Sequence, residues 1–253
     1  MMTAQSSLLS GKRYPRKDAS ASTHTLAKRG QKAKPPKVKP RGLVFQDLNG
    51  EFAKRLFDIA FSLSVLILFF PIYIILALLI AVSSEGPIFY VQERVGKNYH
   101  RFKCIKFRTM VSNADEILVQ MMETSPELRQ EFASTFKLKQ DPRITKIGHF
   151  LRITSLDEFP QFWNVLKGDM SVVGPRPLVV EELPKYGCHI DEILTIRPGI
   201  TGLWQVSGRN DIPYPRRIQI DLHYVKFRNF WLDLCIILKT INVVIIPNNN
   251  GAY

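Results

Sequence analysis

Between Asp58 and Glu85 the chain carries no charged residue. Ile59 to Ser84 is 26 residues dominated by Leu, Ile, Val and Phe. As one straight helix it would reach about 39 Å, more than the roughly 30 Å hydrocarbon core of a bilayer. Length alone would make it a spanning helix. Two facts argue otherwise. Pro71 sits near the middle, where it removes a backbone donor and kinks a helix. Both flanks are basic: Lys54 and Arg55 precede the segment, and Arg94, Lys97, Arg101, Lys103, Lys106 and Arg108 follow it. The positive-inside bias then holds both ends on the cytoplasmic side. A kinked helix that enters and leaves one leaflet satisfies both facts, with arms of about 17 Å that are too short to span. A spanning helix and a buried core helix are the alternatives. Backbone groups freed at the kink need a partner.

The net charge of +13 is concentrated ahead of this segment: residues 1–50 hold eleven Lys/Arg against Asp18 and Asp47. That stretch is rich in Ser, Thr, Lys, Arg and Pro, so a disordered basic tail is expected. It lacks the apolar region of a secretory signal. Attraction to anionic lipid headgroups is its expected role, beside that of a solvated tail. No stacking platform or reading helix accompanies the charge, which disfavours nucleic acid as a partner. Cys104, Cys188 and Cys235 are odd in number and widely spaced, so neither a disulfide framework nor a zinc site is expected.

After the apolar segment, Pro87 to Met110 reads as two short strands around a Gly96-Lys97-Asn98 turn, with Phe102, Cys104 (or Ile105) and Phe107 facing a core. Asn113 to Phe136 is helical in composition, capped by Ser112 or Asn113 and broken at Ser125-Pro126. A central helix is expected to start at Thr154 or Ser155, where Ser155-x-x-Glu158 fits a capping box. Leu156, Phe159, Phe162, Trp163 and Leu166 form its apolar stripe and Gly168 stops it. Ser171 to Gly174 reads as a strand entering a Pro175-Arg176-Pro177 corner, and Leu178 to Lys185 as a helix. Arg197 to Asn210 reads as a loop containing a strand. Tyr214 to Ile246 reads as a helix broken near Asn229, its aromatics suited to a membrane interface or to a core.

The adjacent carboxylates Asp157-Glu158 therefore fall at an expected helix start. Capping and complementing the macrodipole is the plain reading. The functional reading uses the same geometry. A helix N-terminus lowers a carboxylate pKa and favours nearby anions, and an ionised Asp can attack phosphorus to form an acyl phosphate. A diphosphate attacked in this way needs cations, and Arg143, Lys146, Arg152, Arg176 and Arg209 are the candidates because guanidinium forks match phosphate oxygens. Mg²⁺ would neutralise such a substrate further, held by one or two carboxylates. The sequence has no H-x-x-x-H pair, P-loop, G-x-S-x-G or G-x-G-x-x-G, which leaves zincin, nucleotide triphosphatase, serine-hydrolase and Rossmann readings unsupported.

Lys54-Arg-Leu-Phe-Asp58, Gln92-Glu-Arg-Val-Gly96, Lys106-Phe-Arg-Thr-Met110, Asp141-Pro-Arg143, Thr154-Ser-Leu-Asp-Glu158, Pro160-Gln161, Gly168-Asp-Met-Ser171, Gly174-Pro-Arg-Pro177, Arg197-Pro-Gly199, Gly208-Arg-Asn210 and Gly251-Ala-Tyr253 occur in this order. Over residues 51 to 253 the chain resembles the bacterial sugar transferase family, the monotopic phosphoglycosyl transferases. The resemblance implies an α+β monotopic membrane protein with three parts: a basic tail over 1–50, a kinked re-entrant helix over 51–85, and a helix-rich catalytic domain with short strands and amphipathic interfacial helices over 86–253. It implies transfer of a sugar 1-phosphate, galactose or glucose, from a UDP-sugar to undecaprenyl phosphate. UMP is released with Mg²⁺ as cofactor, at the cytoplasmic face of the bacterial inner membrane, in exopolysaccharide or related glycan synthesis. Asp157 resembles the nucleophile and a magnesium ligand, and Glu158 its partner. Arg152, Arg176, Arg143, Arg209 and Arg108 resemble substrate ligands. A homodimer is permitted, and a scaffold that recruits downstream glycosyltransferases is the non-enzymatic alternative. The length resembles the short form of the family. Phe70 stands before the kink proline where the family often has Ser, so either Ser62 or Ser64 serves the freed backbone from a turn or more away, or the kink differs.

Overall fold

A computed structural model describes residues 48–135, 138, 140–208 and 212–245. The basic tail up to residue 47, Arg209 and the terminal Gly251-Ala-Tyr253 lie outside the described residues. The uncharged segment folds as two helices, α1 (Leu48–Leu68) and α2 (Phe70–Ser83), bent by 63° at Phe69. Neither helix alone is long and apolar enough to cross a membrane. Proline explains the break: with no N–H at Pro71, the carbonyl four residues earlier has no helical donor. Backbone bonds on each side close tightly over the bend, Phe69 N–H donating to Val65 and Tyr73 N–H to Phe69. The serine expectation is corrected. Ser64 Oγ donates to the Ala60 carbonyl of its own preceding turn, and Ser62 Oγ is buried without a partner among the described residues. A helical serine reaches back to i−4 more readily than forward to a kink.

Beyond Asp58 the bent pair carries no charge, yet it buries only one face. Phe57, Phe61 and Val65 of α1, with Leu76 and Ile80 of α2, pack inward. Ile67, Phe70, Ile75, Leu78 and Val82 stay exposed, Val82 at 88%. Polar side chains fasten α1 to the rest. Asp58 is 2% exposed, accepts from Val172 N–H and pairs with Lys54, which also reaches Asp233. Arg55 donates to the Val165 and Leu166 carbonyls.

The expected hairpin forms from β1 (Phe89–Val95) and β2 (Arg101–Phe107), antiparallel with Gln92 opposite Cys104. Its loop closes through Gly96 N–H to the His100 carbonyl. The helical stretch beyond it breaks at Ser125 into α3 (Ala114–Thr124) and α4 (Pro126–Thr135). Asn113 holds the cap position of α3 without a side-chain bond.

The central helix is a correction. α5 (Lys146–Thr154) lies before the expected start and is capped by Thr145, whose hydroxyl accepts from Gly148 N–H. Ser155 ends α5 in the left-handed region at φ 57° and makes no capping-box bond. A 3₁₀ turn over Leu156–Glu158 follows, then α6 (Gln161–Lys167). Trp163 of the expected apolar stripe is 54% exposed, because that stripe needs one continuous helix, and the 3₁₀ turn at Leu156–Glu158 separates its first residues from α6.

The two short strands expected in these stretches form as β3 (Ser171–Val173) and β4 (Gly199–Thr201), and they pair in parallel. Between them run a 3₁₀ turn at Val180–Glu182 and the short helices α7 (Leu183–Tyr186) and α8 (Ile190–Ile193), where one helix over Leu178 to Lys185 was expected. The last stretch breaks where anticipated, into α9 (Tyr214–Phe227) and α10 (Phe230–Ile245). Tyr224 locks the break: its hydroxyl donates to Asp233 of α10 at 2.7 Å and lies 3.1 Å from the Val173 carbonyl. Among the described residues the fold is helix-rich with few short strands, an α+β arrangement. Its main core joins α1, β2, α6, β3, α9 and α10.

Candidate active site

The turn carrying Asp157 and Glu158 is held from several directions. Leu151 and Leu156 on either side of Ser155 pack with Leu76, Ile80 and Phe107. Phe159 packs edge-on to Phe69 at 5.7 Å, and its carbonyl accepts from Tyr73 Oη at 2.7 Å. The turn therefore rests directly on the bend of the apolar helix pair. Beneath it, Asn164 is fully buried and ties α6 to the free edge of β2, accepting from Ile105 N–H and donating to the Lys103 carbonyl.

β2 delivers a lysine to this turn. Strand side chains alternate between faces, so Lys106 continues the face of Phe102 and Cys104. Its ammonium lies 2.6 Å from Glu158 Oε1. Asp157 is half-buried, and surrounding protein displaces enough of its water to push its carboxyl pKa up to about 6. Lys106 and Arg152 oppose the rise and Glu158 adds to it. This corrects the expectation of a helix N-terminus lowering the pKa, because Asp157 sits in a 3₁₀ turn and desolvation dominates. At neutral pH the group is still mainly ionised.

A cleft of about 830 Å³ opens onto this turn, the size of an ordinary small-molecule site. Asp157, Glu158, Lys106, Arg152 and Arg176 all line it. Arg152 is oriented by Nε donating to Thr109 Oγ1 at 3.0 Å. Arg176 stands on the proline corner after β3, which is pinned to β4 by Gly199 N–H donating to the Pro175 carbonyl and Gly174 N–H to Thr201. A Cβ at Gly174 would lie 2.6 Å from the Arg197 carbonyl, so glycine is what lets the corner approach β4.

The other expected ligands are placed differently. Arg143 reaches the cleft wall, but its guanidinium forms a two-point pair with Asp141 at 2.6 and 2.7 Å. Arg108 also borders the cleft, yet it donates to the Glu85 and Ser84 carbonyls and so closes the C-terminal end of α2. Lys146 is exposed on the first turn of α5 and does not line the cleft. Arg209 lies outside the described residues. Sequence reasoning passed over Lys106 and Arg94 as site residues, although both lie in motifs it quoted. The signal available was strand alternation, which puts Lys106 on the face of the buried Phe102 and Cys104.

Among the described residues no three His, Cys, Asp or Glu side chains converge as a metal cage. Magnesium does not require one, since it commonly keeps waters and substrate phosphates and takes one or two carboxylates. A half-buried carboxylate whose proton affinity is raised by desolvation fits that demand at Asp157, while Glu158 is engaged by Lys106.

A family model described as bacterial sugar transferase matches residues 49–247. The chain is 48% identical over 205 residues to a UDP-galactose-lipid carrier transferase of Erwinia amylovora. It is also 48% identical over 205 residues to an undecaprenyl-phosphate galactose phosphotransferase of Salmonella typhimurium. Each match covers 81% of this chain and 42% of the relative, so the chain spans about two fifths of their length. An exopolysaccharide production protein, ExoY, of Rhizobium meliloti is 44% identical over 204 residues, covering 81% of this chain and 89% of the relative.

Proposed function

The chain belongs to the bacterial sugar transferase family, and from that membership and the geometry of the cleft we propose that it transfers a sugar 1-phosphate from a UDP-sugar to undecaprenyl phosphate. The observation that carries the proposal is a largely ionised carboxylate, Asp157, facing a cleft lined by Lys106, Arg152 and Arg176 and resting on the bend of an apolar helix pair. The reaction is two displacements at phosphorus. An Asp157 carboxylate oxygen attacks the β-phosphorus, the bond from that phosphorus to the bridging oxygen breaks, and UMP leaves with that oxygen. A phosphate oxygen of undecaprenyl phosphate then attacks the same phosphorus, and the bond to Asp157 breaks to free the carboxylate.

Each neighbour has a defined task. Arg152 and Arg176 supply guanidinium donors to the diphosphate oxygens, whose negative charge they hold in place during displacement. Lys106 keeps Asp157 ionised and fixes Glu158 beside it. Asp157 would hold a magnesium ion, which would supply charge neutralisation of the diphosphate when bound. Arg108 and Arg143 support the walls through the C-terminal end of α2 and the Asp141 pair.

The exposed outer face of α1 and α2 supports a re-entrant, monotopic placement at the cytoplasmic face of the inner membrane. A contiguous apolar surface of this kind calls for lipid, and the uncharged part of α1 after Asp58 and the 14 residues of α2, roughly 15 and 21 Å long, are each shorter than the roughly 30 Å hydrocarbon core. The lipid acceptor would then meet the site at the membrane surface. The relatives' names favour galactose as the sugar, with glucose as the second donor to test. UMP release measured over a panel of UDP-sugars, with undecaprenyl phosphate and Mg²⁺, tests the proposal. Release with one sugar by the unchanged chain and none by Asp157→Asn is expected. Release by both in equal measure would refute the role of Asp157.

A further inference from the structure

A small chamber shares Arg94, Lys106, Glu158, Arg176 and Gln205 with the main cleft and is closed by Gln161. Its volume is about 10 Å³, room for one water-sized group. Three of its lining residues each hold a buried polar atom with no hydrogen-bond partner among the described residues: Arg94 Nε, Gln161 Nε2 and Gln205 Oε1. Buried polar groups are rarely left unpaired, so three around one void indicate an occupant.

Each of the three side chains is anchored or enclosed. Gln161 is 2% exposed, at the start of α6. Gln205 donates through Nε2 to the Ile200 carbonyl at 3.2 Å, which leaves its oxygen as an acceptor. Arg94 spends Nη1 on the Pro177 carbonyl and Nη2 on Gln92, which leaves its Nε–H as a donor. A Cβ at Gly202 would collide with the Gly174 carbonyl and lie 3.0 Å from Gln205 Oε1, so glycine there lets β4's end pack against the corner beside Gln205.

The chamber thus offers donors and an acceptor together. Phosphate oxygens only accept, so they would leave Gln205 Oε1 unpaired, and a uracil ring is too large. A hydroxyl accepts from one neighbour and donates to another, and it matches both the volume and the polarity. We propose that Gln161, Gln205 and Arg94 form a specificity site that takes one hydroxyl of the transferred sugar. The inference rests on the sugar-phosphate transfer proposed above. It adds that part of the donor choice is made here, on the Glu158 side of the cleft.

The test compares kcat/KM for UMP release by the full chain, Gln161→Met and Gln205→Met, using the preferred UDP-sugar and its series of monodeoxy analogues. The unchanged chain should reject one deoxy donor by about 100-fold or more, as sites built to bond a hydroxyl do. In both variants that ratio should collapse toward one through loss on the hydroxylated donor. Thermal melting identifies a variant that fails to fold, and the other then carries the test. A ratio unchanged in the folded variants, with equal loss on every donor or none, would overturn the inference and leave the chamber to a resident water. UMP release from no donor by the unchanged chain would remove the proposed transfer, and this inference with it.

Discussion

At the scale of single residues, the proposed chemistry depends on a carboxylate that is both desolvated and charged. Burial raises the pKa of Asp157 to about 6 and the neighbouring Lys106 limits the rise. The attacking form is the ionised one, so kcat/KM should fall about tenfold per pH unit below roughly pH 6. Lys106→Met removes the opposing charge, so the acidic limb should move to higher pH. A limb that stays in place would show that Lys106 does not set the ionisation of Asp157. Asp221 on α9 offers a second titration, unconnected with turnover. It is 1% exposed and burial raises its pKa to about 7, against partial opposition from the Tyr186 hydroxyl and Arg217. From its ordinary value of 3.8 up to about 7 the folded chain holds a proton that the unfolded chain has lost. Stability from this group therefore falls as pH rises through that window. Asp221→Asn should melt progressively higher than the unchanged chain as pH increases across it, which thermal melting at several pH values would check. A constant difference would refute the shift.

At the scale of elements, the bend in the apolar pair and the Asp157 turn are one assembly. Tyr73 of α2 donates to the Phe159 carbonyl, two residues from Asp157. Tyr73→Phe keeps the ring packing and removes this bond. It should lower kcat about threefold to tenfold with little change in membrane association, for a net loss of about 1 kcal/mol at the turn. Unchanged kcat would mean that the turn is fixed by packing alone. Asn164→Ala exposes the other support. It leaves the Lys103 carbonyl and the Ile105 N–H of β2 without their partner, and should destabilise the fold by about 2 kcal/mol or more in denaturant melts. The sequence made several of these elements readable. Pro71 forecast the bend, Ser125-Pro126 the break between α3 and α4, and Asn229 the break before α10, because each leaves a local chemical mark. It misled at Ser155, where a capping-box pattern matched a position that tertiary packing turned into a left-handed helix end. Arg108 and Arg143 also read as phosphate ligands by type and motif. Only their neighbours, the end of α2 and Asp141, reveal that those guanidiniums are already bonded. Nothing local could show the latch from Asn164 to β2, since its partners are distant in the chain.

At the scale of the whole molecule, a polar cleft sits on an apolar wedge. The outer face of α1 and α2 presents Ile67, Ile75, Leu78 and Val82 to the surroundings, while the inner face is fixed through Asp58, Lys54 and Asp233. That division predicts that Ile75→Glu with Leu78→Glu will abolish flotation of the chain with phospholipid vesicles and leave the melting of its core nearly unchanged. Continued flotation of the double variant would place the membrane contact elsewhere. The proposed transfer turns on a covalent stage at Asp157, and intact-mass measurement after incubation with a UDP-sugar and Mg²⁺, without lipid acceptor, tests it most directly. The unchanged chain should gain the mass of one sugar phosphate, map it to Asp157 and lose it on addition of undecaprenyl phosphate. UMP release that requires the lipid acceptor, with no adduct formed at any time, would contradict it.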